Sequence, residues 1–102
     1  MHLIQILLPL TDNVGRPFGR RLFRAVASEL TARCGGLTAY TRAPAEGLWK
    51  DATANTNRDE IVVYEVMVDT LDESSWRKLR KRLERRFRQE SVVVRAHEVR
   101  LL

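Results

Sequence analysis

The segment that most constrains the fold is "EIVVYEVMV", residues 60–68. It is rich in β-branched residues, has no glycine or proline, and reads as a strand. Alternation along a strand puts Val62, Tyr64, Val66 and Val68 on one face and Ile61, Val63, Glu65 and Met67 on the other. Both sets are mostly apolar, so a sheet built around this strand needs cover on both sides. Residues 2–8, within "HLIQILLPL", repeat the pattern, with Ile4, Ile6 and Leu8 opposed to Leu3, Gln5 and Leu7. A strand that is apolar on both faces belongs in the middle of a sheet. The last strand lies in "SVVVRAHEVRLL", where Val92, Val94 and Ala96 alternate with Val93, Arg95, His97, Val99 and Leu101.

Between these strands the hydrophobic period changes. In "PFGRRLFRAVASELTARCGG", Phe18, Leu22, Phe23, Val26, Leu30 and Cys34 recur at three-and-four spacing, which predicts an amphipathic helix. Pro17 suits its first turn, and Gly35 or Gly36 suits the left-handed residue that ends it. A second helix is predicted in "TLDESSWRKLRKRLERRFRQ", where Trp76, Leu79, Leu83 and Phe87 form one narrow stripe. Thr70 with Glu73, or Asp72, is placed to cap it. "LTAYTR" reads as a short edge strand, and residues 43–60 as a long connection whose second half, "DATANTNRD", is polar.

The order is β-α-β-β-α-β. The simplest fold for it is α+β and ferredoxin-like, a four-stranded antiparallel sheet with two helices on one face, as a single domain over residues 1–102. Right-handed crossovers place the first and third strands in the centre. The chain's 102 residues are enough to bury roughly two thirds of the unfolded surface without disulfides or metal. With one cysteine, Cys34, no internal disulfide is available. The apolar start lacks a basic stretch and a small-residue cleavage site, and no apolar run approaches the roughly 20 residues that span a bilayer. A cytoplasmic protein with no membrane partner is the expectation.

If both helices lie on one face, the set containing Leu3, Leu7, Ile61, Val63, Met67 and Val93 is left uncovered. A contiguous patch of this kind marks an interface. The expected cover is a second copy of the chain, giving a homodimer through the open sheet face, since two-fold dimers are the commonest closed assembly.

Four polar residues sit within that set. Glu65 and His97 are the candidate catalytic residues, a carboxylate and an imidazole suited to cofactor-free acid–base chemistry. A salt bridge between Glu65 and Arg95 is the competing structural reading of that carboxylate. Tyr40, Arg42, Glu46, Trp49 and Arg95 are the candidate ligand-binding residues, with Arg42 or Arg95 holding an anionic group and Trp49 walling a pocket between the open face and the 43–50 loop. No metal-ligand spacing, P-loop or dinucleotide fingerprint is present, so neither metal nor cofactor is expected.

The net charge is +5 with 18 Lys and Arg against 13 Asp and Glu. Eight of those cations fall between Trp76 and Arg88. That cluster supports an alternative reading as a nucleic-acid-binding module. The base-stacking aromatics of the RNA-recognition module are missing from the central strands, which makes this reading the weaker one. A protein-interaction module is the third.

With these elements placed, "ELTARCGGLTAYTRAPAEGLW", "DEIVVYEVMV" and "LERRFRQESVVVRA" together resemble a group of short, uncharacterised bacterial proteins. In that group a helix ends in a Gly-Gly pair, and a strand and a Gly-x-Trp turn follow. The resemblance implies a ferredoxin-like, dimeric α+β-barrel-like fold and a bacterial origin. It carries no activity and assigns no catalytic residue.

Overall fold

The computed structural model describes the backbone of residues 1–50 and 56–102, and side chains outside 41–59. The elements are β1 (His2–Pro9), α1 (Arg20–Cys34), β2 (Thr38–Lys50), β3 (Thr56–Val68), α2 (Glu73–Arg86) and β4 (Val93–Glu98). The sheet order is β2-β3-β1-β4, and every neighbouring pair is antiparallel. β1 and β3 are therefore central, as the split βαβ topology demands.

The set of residues predicted to face the helices does so. Ile4, Ile6 and Leu8 of β1 are fully buried, as are Val26 and Leu30 of α1 and Leu79 and Leu83 of α2. Val62, Tyr64, Val66 and Val92 join the same core. Phe87, just past the end of α2, is also fully buried. Phe18 meets its ring in a T-shaped contact at 5.0 Å between centroids, and Phe23 tilts against it at 5.4 Å.

The two helices are also fastened to each other. Glu29 of α1 accepts hydrogen bonds from Arg82 and, at 3.1 Å, from Arg86 of α2. Arg33 donates to Ser75 and lies over the Trp76 ring at 4.2 Å from its centroid. Asp72 is the residue that caps α2, its Oδ1 accepting from the Ser75 N–H at 3.2 Å. Gly35, at φ 79°, is the left-handed stop of α1 and donates its N–H to Thr31.

Two local expectations are corrected. Pro17 is not in the first turn of α1. It forms a bridge with Thr11, the following Phe18 N–H bonds the Leu10 carbonyl at 3.0 Å, and the helix begins at Arg20. Asp12 organises this small loop by accepting from the Val14 and Arg16 N–H groups. These bonds to the charged form, that from Arg16 first, hold its carboxyl below the usual range.

The larger correction concerns residues 43–50, expected as a loop and found as the second half of β2. Ala45 pairs with Ile61, Gly47 with Asp59, Trp49 with Asn57 and Lys50 with Thr56, so β2 and β3 run on together as a long hairpin arm. The register slips between Tyr40↔Val63 and Ala45↔Ile61, where four residues of β2 (41–44) stand against Val62 alone. Pro44 falls within this irregular stretch of an edge strand, where its missing N–H removes no ladder bond.

Candidate functional site

β1, β3 and β4 each present a second side-chain set to the face opposite the helices, and the register arranges these sets in rows. One row runs Tyr40, Val63, Leu7, Val93 from β2 to β4; another runs Met67, Leu3, His97 from β3 to β4. Between them lies a polar row of Thr38, Glu65, Gln5 and Arg95. Among the described residues no element packs over these rows. Tyr40, Met67 and Val93 remain 51%, 47% and 46% exposed, well beyond ordinary core values.

The polar row is a hydrogen-bonded chain. Arg95 donates its Nε–H to Gln5 Oε1 at 2.7 Å, and Gln5 donates its Nε2–H to Glu65 Oε1 at 2.9 Å. Glu65 and Arg95 do not touch directly, because β1 separates their strands. Gln5 bridges them by using both ends of its amide, so the base and the acid are linked across three strands. The expected Glu65–Arg95 salt bridge is thus corrected to two hydrogen bonds through a neutral amide. Gln5 was visible in the sequence only as the single polar residue of an apolar strand; its role depends on the register of two different strand pairs.

The sequence-predicted site residues do not gather at one place. Tyr40, Arg42, Glu46 and Trp49 lie on β2, at one edge of the sheet, while Arg95 and His97 lie on β4, at the other. Three inter-strand spacings of about 4.8 Å, or roughly 14 Å, separate those edges. The side chains of Arg42, Glu46 and Trp49 lie outside the described residues. Glu65 lies on the inner strand β3, with Tyr40 two places along the neighbouring edge, whereas His97 is exposed beside Leu3.

Among the described residues, clefts open at both sides of the sheet. One, of about 270 Å³, lies between α2 and β4, with Ile4, Val94, Ala96 and Trp76 beside Glu73, Arg77 and Arg80. Arg77 lies 3.6 Å from Glu73, and Arg80 lies 3.9 Å from Glu84 with its Nε buried and without a hydrogen-bond partner among the described residues. The other, of about 310 Å³, opens where α1 hands over to β2. It is lined by Glu65, Thr38, Leu3, Met67 and the Cys34–Leu37 turn. Cys34 stays a thiol there, because burial pushes its pKa up while nearby Arg33 only partly opposes the shift. This second cleft was missed in the sequence, where Gly35 and Gly36 carried only the signal of a helix stop. Among the described residues there is no group of three or more His, Cys, Asp or Glu placed to hold a metal ion.

No family model matches the chain, and no curated protein matches it. Solved structures do. The divalent cation tolerance protein CutA1 from Thermus thermophilus superposes with a TM-score of 0.64 at 13% identity, over 97% of this chain and 84% of that one. A phage SAM lyase in complex with S-methyl-5'-thioadenosine gives 0.59 at 17% identity, over 95% and 80%. CutA1 from Pyrococcus horikoshii gives 0.60 at 10% identity, over 100% and 86%. At these identities the likeness is one of fold. It establishes the ferredoxin-like α+β architecture over nearly the full described length. No helix among the described residues is long and apolar enough to cross a membrane.

Proposed function

We propose that this chain is a small-molecule-binding homodimer whose two open sheet faces close against each other. The carrying observation is the uncovered face itself, two apolar rows enclosing a hydrogen-bonded row whose charges cancel. Leu3, Leu7, Ile61, Val63, Met67 and Val93 on one surface are more apolar contact than a solvated sheet face carries. The Arg95–Gln5–Glu65 chain lets that surface dry without stranding an ion, since each charged end already has a bonded partner. A second copy supplies the same rows and the same balance, which is what a self-complementary two-fold contact needs.

The ligand-binding half of the reading rests on the cleft at the Glu65 end of the polar row. The phage lyase, which shares the architecture, holds a small molecule, S-methyl-5'-thioadenosine. The anion-binding role expected of Arg42 and Arg95 has less support, because the two residues sit on opposite edges of the sheet. Sedimentation velocity at micromolar concentration tests the assembly. A dimer is expected, and a clean monomer sinks the face-to-face model.

The nucleic-acid reading is the weaker one for a specific reason. Arg77, Arg80, Arg82 and Arg86, four of the eight cations in the 76–88 run, are held by Glu73, Glu84 and Glu29. Binding to nucleic acid at low salt with a steep salt dependence would revive it.

A further inference from the structure

We propose that the cleft between the α1–β2 turn and the Glu65 end of the polar row binds a small organic cation with an apolar substituent. This deepens the ligand-binding half of the function proposed above and rests on it; Leu3, Glu65 and Met67 line the cleft at the border of the face assigned to the dimer. Although the chain carries a net charge of +5, the groups around this cleft favour positive charge. Glu65 brings a carboxylate, of which Oε1 accepts from Gln5. Thr38, opposite Glu65 in the β2–β3 ladder, adds a hydroxyl that can accept.

The cleft also lies at the C-terminal end of α1, where the last carbonyls concentrate the negative end of the helix dipole. Arg33, the basic residue in that last turn, would oppose a cation. Its guanidinium is instead drawn over Trp76 and onto Ser75, toward α2. Cys34, kept protonated by burial, adds no charge.

The remaining walls set the rest of the ligand. Leu3, Leu37 and Met67 are apolar, and methionine sulfur is polarisable enough to sit against an alkylated cation. Gly36 leaves room, because a Cβ placed there meets no atom within 4 Å. At about 310 Å³ the cleft is at the lower end of the range for small-molecule sites. A quaternary ammonium or other alkylated onium group fits it better than a bare metal ion, which needs more oxygen ligands than Glu65 and Thr38 provide.

The test uses the full isotope-labelled chain, with choline and its uncharged carbon isostere dimethylbutanol as probes. Choline is expected to shift the backbone amides of Gly35, Gly36, Thr38 and Met67 saturably, with dimethylbutanol at least tenfold weaker. Glu65→Gln keeps the size and the oxygen that Gln5 needs, and is expected to weaken choline at least tenfold with the rest of the spectrum intact. Gly36→Val, at a position whose φ is not left-handed, is expected to plug the cleft against both probes. Equal binding of the two probes, or unchanged choline affinity in Glu65→Gln, overturns the cation assignment and leaves a ligand-binding cleft standing. No saturable shift with either probe overturns both. Sedimentation of the same samples reports on the dimer separately.

Discussion

Val62 and Val63 carry the same side chain on neighbouring residues of β3. Val62 lies in the core formed with the helices at 2% exposure, while Val63 stands between Tyr40 and Leu7 on the face that no helix covers. The same division runs along β1, between fully buried Ile4, Ile6 and Leu8 and half-buried Leu3, Gln5 and Leu7. One face is filled by residues of β1, β3 and both helices and serves stability. The other is equally rich in branched side chains, yet the monomer leaves it half-buried. Apolar surface withheld from the core is useful only if something else covers it, so the contrast between the faces is the main physical argument for assembly.

Placing the same charge on each face is the sharpest way to break that contrast. Val62→Glu puts a carboxylate into a site with no partner for it, and is expected to cost about 4 kcal/mol or more, a large share of the roughly 5–15 kcal/mol that keeps a domain folded. Val63→Glu is expected to change monomer stability by no more than about 1 kcal/mol while abolishing the dimer. Denaturant melts and sedimentation on the two variants separate the effects. If Val63→Glu stays dimeric, the open face is not the interface.

Phe87→Ala probes the covered side alone. The ring fills the junction of Phe18, Phe23 and the end of α2, and its loss is expected to cost about 3–5 kcal/mol in a urea melt with the oligomeric state of the folded fraction unchanged. A matching loss of dimer at concentrations where the chain is still folded would mean that the two faces are not independent.

These contrasts were visible in the sequence because they rest on period. Alternation of two in "EIVVYEVMV" and "HLIQILLPL" separated Val62 from Val63 and Ile4 from Gln5, and spacing of three and four in the helices found the Trp76–Phe87 stripe. What could not be read there depends on pairing instead. "APAEGLW" has proline, glycine and no clean alternation, yet it is strand because the backbone of residues 56–61 lies alongside to complete its ladder. Pro17 fits a first helical turn, but a bridge to Thr11 uses it first. The Gln5 relay needs the registers β1–β3 and β1–β4 at once, and neither follows from local pattern. The Glu65 cleft joins a helix end to a strand interior, residues 29 positions apart from Gly36 to Glu65, and no motif spans such a gap.

The smallest expected effect comes from a polar group on the covered face, the hydroxyl of Tyr64. Tyr64 is 3% exposed, and its hydroxyl donates to the Phe23 carbonyl at a long 3.4 Å. Burial raises the phenol's pKa above its ordinary value of 10.0, because the apolar surroundings disfavour the phenolate. A folded pKa raised above the unfolded one gives stability that is fully present below pH 10 and is lost as pH climbs through the folded value. Tyr64→Phe removes a weak hydrogen bond and leaves the ring, so neutral-pH stability is expected to shift by less than about 1 kcal/mol. Above pH 10 the order reverses, since the variant has no phenol to ionise and keeps its fold where the parent begins to lose it. Tyr40, on the open face, serves as the control. At 51% exposure its ring stays largely in water in the isolated chain, so Tyr40→Phe is expected to leave the alkaline limit of the monomer where it was. Thermal melts of both variants between neutral pH and pH 11, taken on the Val63→Glu background to hold the chain monomeric, test the covered face and the open face with the same chemical change; an alkaline limit that moves equally in both would refute the assignment of Tyr64 as the group that sets it.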